Sequence, residues 1–143
     1  CDFLLTGPGP ARHWLEVKNC HMVYEDGWGY FPDSISHRAA RHARALAARA
    51  RAGDRATVLF VVQRGDVRAG VRPSDFHDPE FARACREAAA AGVRFRAVRA
   101  LMTLEGALVE GELGVDLAPY CTAAVARQWE TNRVITGWDR AFD

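Results

Sequence analysis

Thr57-Val58-Leu59-Phe60-Val61-Val62 is an uncharged run of six residues, mostly β-branched, closed by Gln63-Arg64-Gly65 and preceded by Gly53-Asp54-Arg55. It is too short for an ordinary buried helix, and its side chains are apolar on both faces. A strand of that kind needs cover on two sides. The chain is therefore expected to build layers around a central strand, which predicts an α/β architecture with a mixed central sheet flanked by helices.

The flanking segments supply those layers. Asp2–Leu5 reads as a short strand ended by Gly7-Pro8-Gly9-Pro10, and Trp14–Lys18 as a second strand with Trp14, Glu16 and Lys18 on one face. His21–Tyr24 reads as a third. Glu25–Gly29 reads as a loop that leads to Tyr30–Ser34. Ser34 or Ser36 caps a helix to about Ala52, stopped by Gly53. Arg64–Pro73 reads as loop, Pro79–Ala91 as a helix ended by Gly92, and Arg94–Leu101 and Leu108–Leu113 as strands near a sheet edge. A last helical stretch spans roughly Pro119–Asn132, and Arg133–Asp143 has no clear period. With 143 residues, one packed core is expected, divided into a main domain over 1–118 and a helical extension over 119–143.

The longest strongly apolar run, Val58–Val62, is too short to span a bilayer, and no signal peptide is visible at the start. A cytoplasmic protein without membrane attachment is expected. The chain opens without Met and is read as a piece of a longer protein. Cys1, Cys20, Cys85 and Cys121 have no metal-binding spacing and are expected to be reduced, buried and small-apolar in role.

Nineteen basic residues oppose eighteen acidic ones, and every basic residue but Lys18 is Arg. Where Arg is the default cation, a lone Lys marks a position that wants a compact ammonium. It stands in Glu16-Val17-Lys18, whose two charged side chains leave the same strand face roughly 7 Å apart at the backbone. If Asp2–Leu5 pairs with Trp14–Lys18 as a hairpin, Asp2 joins that face. Two carboxylates suit Mg²⁺ or Mn²⁺, which keep several waters and accept a phosphate oxygen. Lys18 would neutralise developing charge in phosphodiester hydrolysis. The same tripeptide is also an ordinary charge pair on a solvated strand.

The helix after Ser36 carries Arg38, Arg41, Arg44, Arg49, Arg51, His37 and His42 and no acid. Ala39, Ala43, Leu46, Ala47 and Ala50 form its apolar side. Arg38, Arg41, His42 and Arg44 are expected to contact phosphates, since dense like charge on one helix is costly unless it is offset. The alternative is neutralisation by Asp and Glu elsewhere in the chain. Of Trp14, Trp28 and Tyr30, at least two are expected to serve core packing.

Asp2-Phe3-Leu4-Leu5, Leu15-Glu16-Val17-Lys18-Asn19, Gly29-Tyr30-Phe31-Pro32-Asp33, Arg38 and His42, and Phe60-Val61-Val62-Gln63-Arg64 resemble the sugar fermentation stimulation protein family, in its C-terminal nuclease-like domain. The resemblance runs from Asp2 to about Val115. It implies a restriction-endonuclease-like, PD-(D/E)xK fold and DNA binding without marked sequence preference, with DNA ahead of RNA as partner. It implies Asp2, Glu16 and Lys18 as the signature acid, acid and lysine, with Asp2 and Glu16 holding the metal. Asp33 and Gln63 become accessory residues near the same site. By the same resemblance the family's small N-terminal OB-like domain is expected to lie outside these 143 residues, His37 stands in place of an acid, and Ala39 in place of a Gly. Two functions follow as expectations: a metal-dependent DNA/RNA nuclease, or a non-catalytic DNA-binding protein acting on genes of maltose and other sugar metabolism.

Overall fold

The computed structural model describes residues 1–9 and 12–136, with side chains through residue 134. The chain forms β1 (Phe3–Thr6), β2 (Arg12–Cys20), β3 (Met22–Val23), β4 (Trp28–Phe31), α1 (His37–Arg51), β5 (Arg55–Val62), β6 (Gly70–Pro73), α2 (Pro79–Ala90), β7 (Arg94–Thr103), β8 (Gly106–Leu113) and α3 (Ala123–Thr136). None of these helices is long and apolar enough to cross a membrane.

The strands divide into two sheets. One has the order β1-β2-β5-β7-β8, with β2, β5 and β7 parallel and the outer strands antiparallel to their neighbours. The apolar run is its central strand, as expected. The other has the order β3-β4-β6. The five-stranded sheet is the mixed sheet expected; the second sheet is not expected, and β6 with the first half of β4 lies where the sequence reads as loop. Both are glycine-marked: β4 contains Gly29 and β6 starts at Gly70. Gly29 packs against Cys20 and Val67, where an added Cβ would come within 3.1 Å of the Cys20 sulfur. At Gly70, φ is +131° and an added Cβ would fall 2.6 Å from the Gly114 carbonyl oxygen. Close approach of neighbouring chain, not a turn, requires the missing side chains.

The layering of β5 also departs from expectation. Val58, Phe60 and Val62 are fully buried, on the face shared with Glu16 and Lys18 through the pairs Glu16↔Val58 and Lys18↔Phe60. Leu59 and Val61, on the opposite face, are only half-buried. Cover is complete on one side alone. There α1 contributes Ala39, Ala40, Ala43, Leu46 and Ala47, and α2 contributes Phe81, Ala84, Cys85 and Ala88. The small alanine side chains let α1 lie close to the sheet, which carries its polar flank up to β2.

Capping fixes where the helices start. Ser36 accepts a hydrogen bond from Ala39 N and begins α1. Asp78 accepts one from Phe81 N at 2.9 Å and begins α2, and its other oxygen accepts from Ser36 N at 2.8 Å. One buried carboxylate thus serves both helix starts. A second cluster holds Tyr24, Tyr30 and Val125, with Trp28, Tyr120 and Trp129 against it, and seats α3. Trp28 and Tyr30 are packing residues, as expected for two of the three early aromatics. All four cysteines are free; Cys20 and Cys85 are buried, but Cys1 and Cys121 are exposed, which corrects the expectation for that pair.

Candidate functional site

The register Phe3↔Leu15 in the β1–β2 pair puts Asp2 opposite Glu16 one step further on. Asp2 N donates to Leu15 O at 3.2 Å, and Asp2 Oδ2 accepts from Val17 N at 2.7 Å. The hairpin inferred from sequence therefore forms, and it brings Asp2 beside Glu16-Val17-Lys18.

Glu16 is the centre of the arrangement. It is 2% exposed, on the face that α1 covers. Lys18 Nζ donates to Glu16 Oε1 at 2.6 Å, and His42 Nδ1 reaches the same oxygen from α1. Glu16 Oε2 accepts no hydrogen bond among the described residues, and the Cys1 amino group stands 3.3 Å from it. Burial by itself raises the Glu16 pKa, because a charged carboxylate loses its water. The hydrogen bonds and positive charges of Lys18 and His42 outweigh that and bring it down to about 2. The result is a buried carboxylate that stays ionised, with one oxygen held by Lys18 and His42 and the other beside the Cys1 amino group.

Lys18 is itself largely withdrawn from water, with its ammonium 5.9 Å from the centre of the Phe31 ring. Phe31 in turn packs on Phe60 and Phe81, so the core fixes the wall behind the ammonium. Two residues on, Asp33 Oδ2 lies 3.1 Å from His21 Nε2, just past the end of β2. Gln63 follows β5 and is exposed. Asp33 and Gln63 make no contact with Glu16 or Lys18 among the described hydrogen bonds and ion pairs.

The basic face of α1 is divided. His42 turns inward to Glu16 instead of outward. Arg44 pairs with Glu80 at 3.0 Å and approaches Glu87 at 3.9 Å, while His37 lies 3.3 Å from Glu80. Arg49 stacks 4.4 Å from the Trp14 ring centre. Arg38 and Arg41 form no ion pair among the described residues and are exposed. Part of the like charge on the helix is therefore offset by acids of α2. The position of His42 had a readable signal, since it lies three residues from Ala39 and four from Leu46, beside the buried stripe. The contacts that α3 makes had none.

Among the described residues, no three side chains of His, Cys, Asp or Glu form a ready metal cage. Asp2 and Glu16 offer two carboxylates, a donor set that suits a cation keeping most of its water.

The model of the sugar fermentation stimulation protein RE domain matches residues 1–106. The sugar fermentation stimulation protein homolog of Jannaschia sp. (strain CCS1) is 44% identical over 118 residues, covering 82% of this chain and 48% of that protein. The homolog of Geobacter sulfurreducens is 49% identical over 104 residues, covering 73% and 43%. Among solved structures, Pyrococcus furiosus SfsA in complex with Ca²⁺ superposes with a TM-score of 0.67 at 34% identity, covering 73% of this chain and 45% of that one. The chain spans about half the length of the curated relatives it matches.

Proposed function

The chain belongs to the sugar fermentation stimulation protein family, and from that premise we propose that it is a PD-(D/E)xK-type domain that binds nucleic acid, DNA ahead of RNA, and hydrolyses phosphodiesters with Mg²⁺ or Mn²⁺. The observation that carries this reading is Glu16: a buried carboxylate held ionised by Lys18 and His42, with Oε2 accepting no hydrogen bond among the described residues. An apolar residue of the same volume would pack there at no electrostatic cost, and unlike Asp78 the Glu16 carboxylate caps no helix, which supports a chemical role for it. The Ca²⁺ complex of the Pyrococcus furiosus relative is in keeping with cation chemistry in the family.

In this reading Asp2 and Glu16 Oε2 hold the ion. A bound divalent cation would acidify water and draw charge from a phosphate oxygen. His42 fixes the Glu16 carboxylate so that Oε2, not Oε1, is offered. Lys18 supplies positive charge beside the phosphate as negative charge develops on it, from a pocket where little water screens it. Arg38 and Arg41 approach the strand from α1.

The lack of a three-residue metal cage among the described residues favours a second reading, a DNA-binding module without catalysis that acts on genes of sugar metabolism. A cleavage assay on plasmid and single-stranded substrates with Mg²⁺ and Mn²⁺ separates the two. The nuclease reading expects metal-dependent cleavage that Lys18→Ala abolishes while binding to the same substrate persists. Binding without cleavage under every metal condition overturns it in favour of the second.

A further inference from the structure

A cavity of about 420 Å³ opens between the end of β2, the Asp33 turn and α3. Met22, Tyr24 and Trp129 make its apolar walls, and Asp33, Arg64 and Asn132 stand around it. The size suits a small planar ligand. Trp129 is set by an edge-on contact with His77, ring centres 5.3 Å apart at 88°. Arg64 is fixed at the rim by two bonds to Asp66, of 2.9 and 2.5 Å. An aromatic wall, an acceptor-only carboxylate and a guanidinium fixed at the mouth fit a heteroaromatic ring bearing an anionic tail. A neutral saccharide could also stack on Trp129 but carries no charge for Arg64 to meet, and an acyl chain would have no use for the charged mouth.

The cavity is also placed beside the phosphate end of the proposed site. His21, paired with Asp33, is three residues beyond Lys18, roughly 10 Å at strand rise. The Phe31 ring behind Lys18 is two residues from Asp33. Trp129 and Asn132 lie beyond the residues that the family model matches, so family membership does not imply this cavity.

We propose that the cavity receives one unstacked base of a nucleic acid strand whose phosphate lies at Glu16 and Lys18; this rests on the reading of those two residues given above. A base still paired inside a duplex cannot enter a side cavity, so the substrate is single-stranded there or has the nucleotide turned out. Trp129 stacks on the base, Asp33 accepts from an exocyclic amino group, and Arg64 meets the backbone.

The test uses a fluorescent single-stranded oligonucleotide, with binding measured in Ca²⁺ in place of Mg²⁺ and Mn²⁺, so that a cation is present at Asp2 and Glu16 while Mg²⁺- or Mn²⁺-dependent hydrolysis is not. An abasic position is moved through the oligonucleotide one nucleotide at a time. One position should weaken binding to the wild type by about tenfold, the size of one lost stacking contact, and should cost Trp129→Ala nothing. Trp129→Phe should retain most of the affinity. If every abasic position is equivalent for the wild type, the proposal is overturned while nucleic-acid binding stands. If the wild type binds no oligonucleotide, the proposal falls together with the reading it rests on, whereas cleavage lost only in Lys18→Ala keeps that reading alive. Arg64→Ala, at an exposed position, guards against misfolding of the Trp variants. It should weaken the intact oligonucleotide yet leave the abasic profile in place, and a flat profile with full affinity counts against the cavity.

Discussion

Lys18 Nζ stands 2.6 Å from Glu16 Oε1, with both groups drawn in from water and on the same face of β2. The pair is held by more than mutual attraction, because α1 brings His42 to the same oxygen while the Cys1 amino group stands 3.3 Å from the other. Replacing Lys18 with the similarly long but uncharged Met removes its ammonium while Glu16 stays buried. The Glu16 pKa should then climb from about 2 towards or past its ordinary 4.5, which a carboxyl-carbon NMR titration reads directly. The sign for stability follows from the depressed value. The contribution of Glu16 is complete above about pH 4.5 and is lost as pH falls towards 2. At neutral pH, Lys18→Met should cost about 3 kcal/mol, the scale for leaving a buried charge with a missing partner. A change under about 0.5 kcal/mol would mean that solvent screens the pair.

Asp78 offers a test of fold rather than site. Its two oxygens serve Phe81 N and Ser36 N, so Asp78→Ala strips a cap from α2 and unties the approach to α1 in one step. Both donors lie where water reaches poorly. A loss of about 3 kcal/mol in urea denaturation is expected, with Asp78→Asn costing roughly a third as much, since Asn still accepts one bond. Equal losses in the two variants would show that the charge itself matters.

What could be read from sequence follows from how local each signal is. The β1–β2 hairpin, α1 with its Ser36 cap, central β5 and α2 starting at Pro79 announce themselves within a few residues, through alternation, caps and stops. The set Asp2, Glu16 and Lys18 was legible for the same reason, because a strand of period two fixes which side chains share a face. The start of β4 and all of β6 read as loop because Gly29 and Gly70 look like turn formers until the neighbours that crowd them are known. Along α1 alone His42 falls among the phosphate-facing residues, and only the packing of α1 on β2 turns it inward. Arg44 shares the basic face with Arg41, but its partners Glu80 and Glu87 lie on α2, a pairing that no spacing along α1 encodes. The contact of α3 with the Tyr24 cluster is equally long-range.

His77 sits within that cluster. Its Nδ1 is 2.7 Å from Ser74 Oγ, its Nε2 is 3.0 Å from Tyr24 Oη, and its ring stacks on Tyr24 and meets Phe76 and Trp129 edge-on. Burial lowers its pKa, and the negative charge of Asp33 recovers only part of the shift. The unfolded chain therefore binds this proton more readily than the native one. Stability from a neutral His77 is complete above about pH 6.5 and declines as pH falls below it, by up to about 1.4 kcal/mol per pH unit. Thermal unfolding between pH 8 and 5 should show that decline in the wild type and a shallower one in His77→Gln. Matching slopes would remove His77 as its source.

Arg38 and Arg41 are the arginines of α1 on which the phosphate argument now rests, because Arg44 already has two acids within reach. Each phosphate contact releases condensed counterions, so affinity falls with salt in proportion to the number of such contacts. The double variant Arg38→Ala with Arg41→Ala should lower the slope of log affinity against log salt by between about 1 and 2, with a similar loss on every sequence tried. Arg44→Ala should change the slope much less, since its guanidinium is already compensated by Glu80 and Glu87. That contrast decides the matter better than either variant alone. If Arg44 proves equal to Arg38 and Arg41, the helix acts through its summed field and the ion pairs to α2 do not withdraw Arg44 from the strand. If none of the three changes the slope, the nucleic acid does not approach along α1, and the charges of that helix are balanced within the protein.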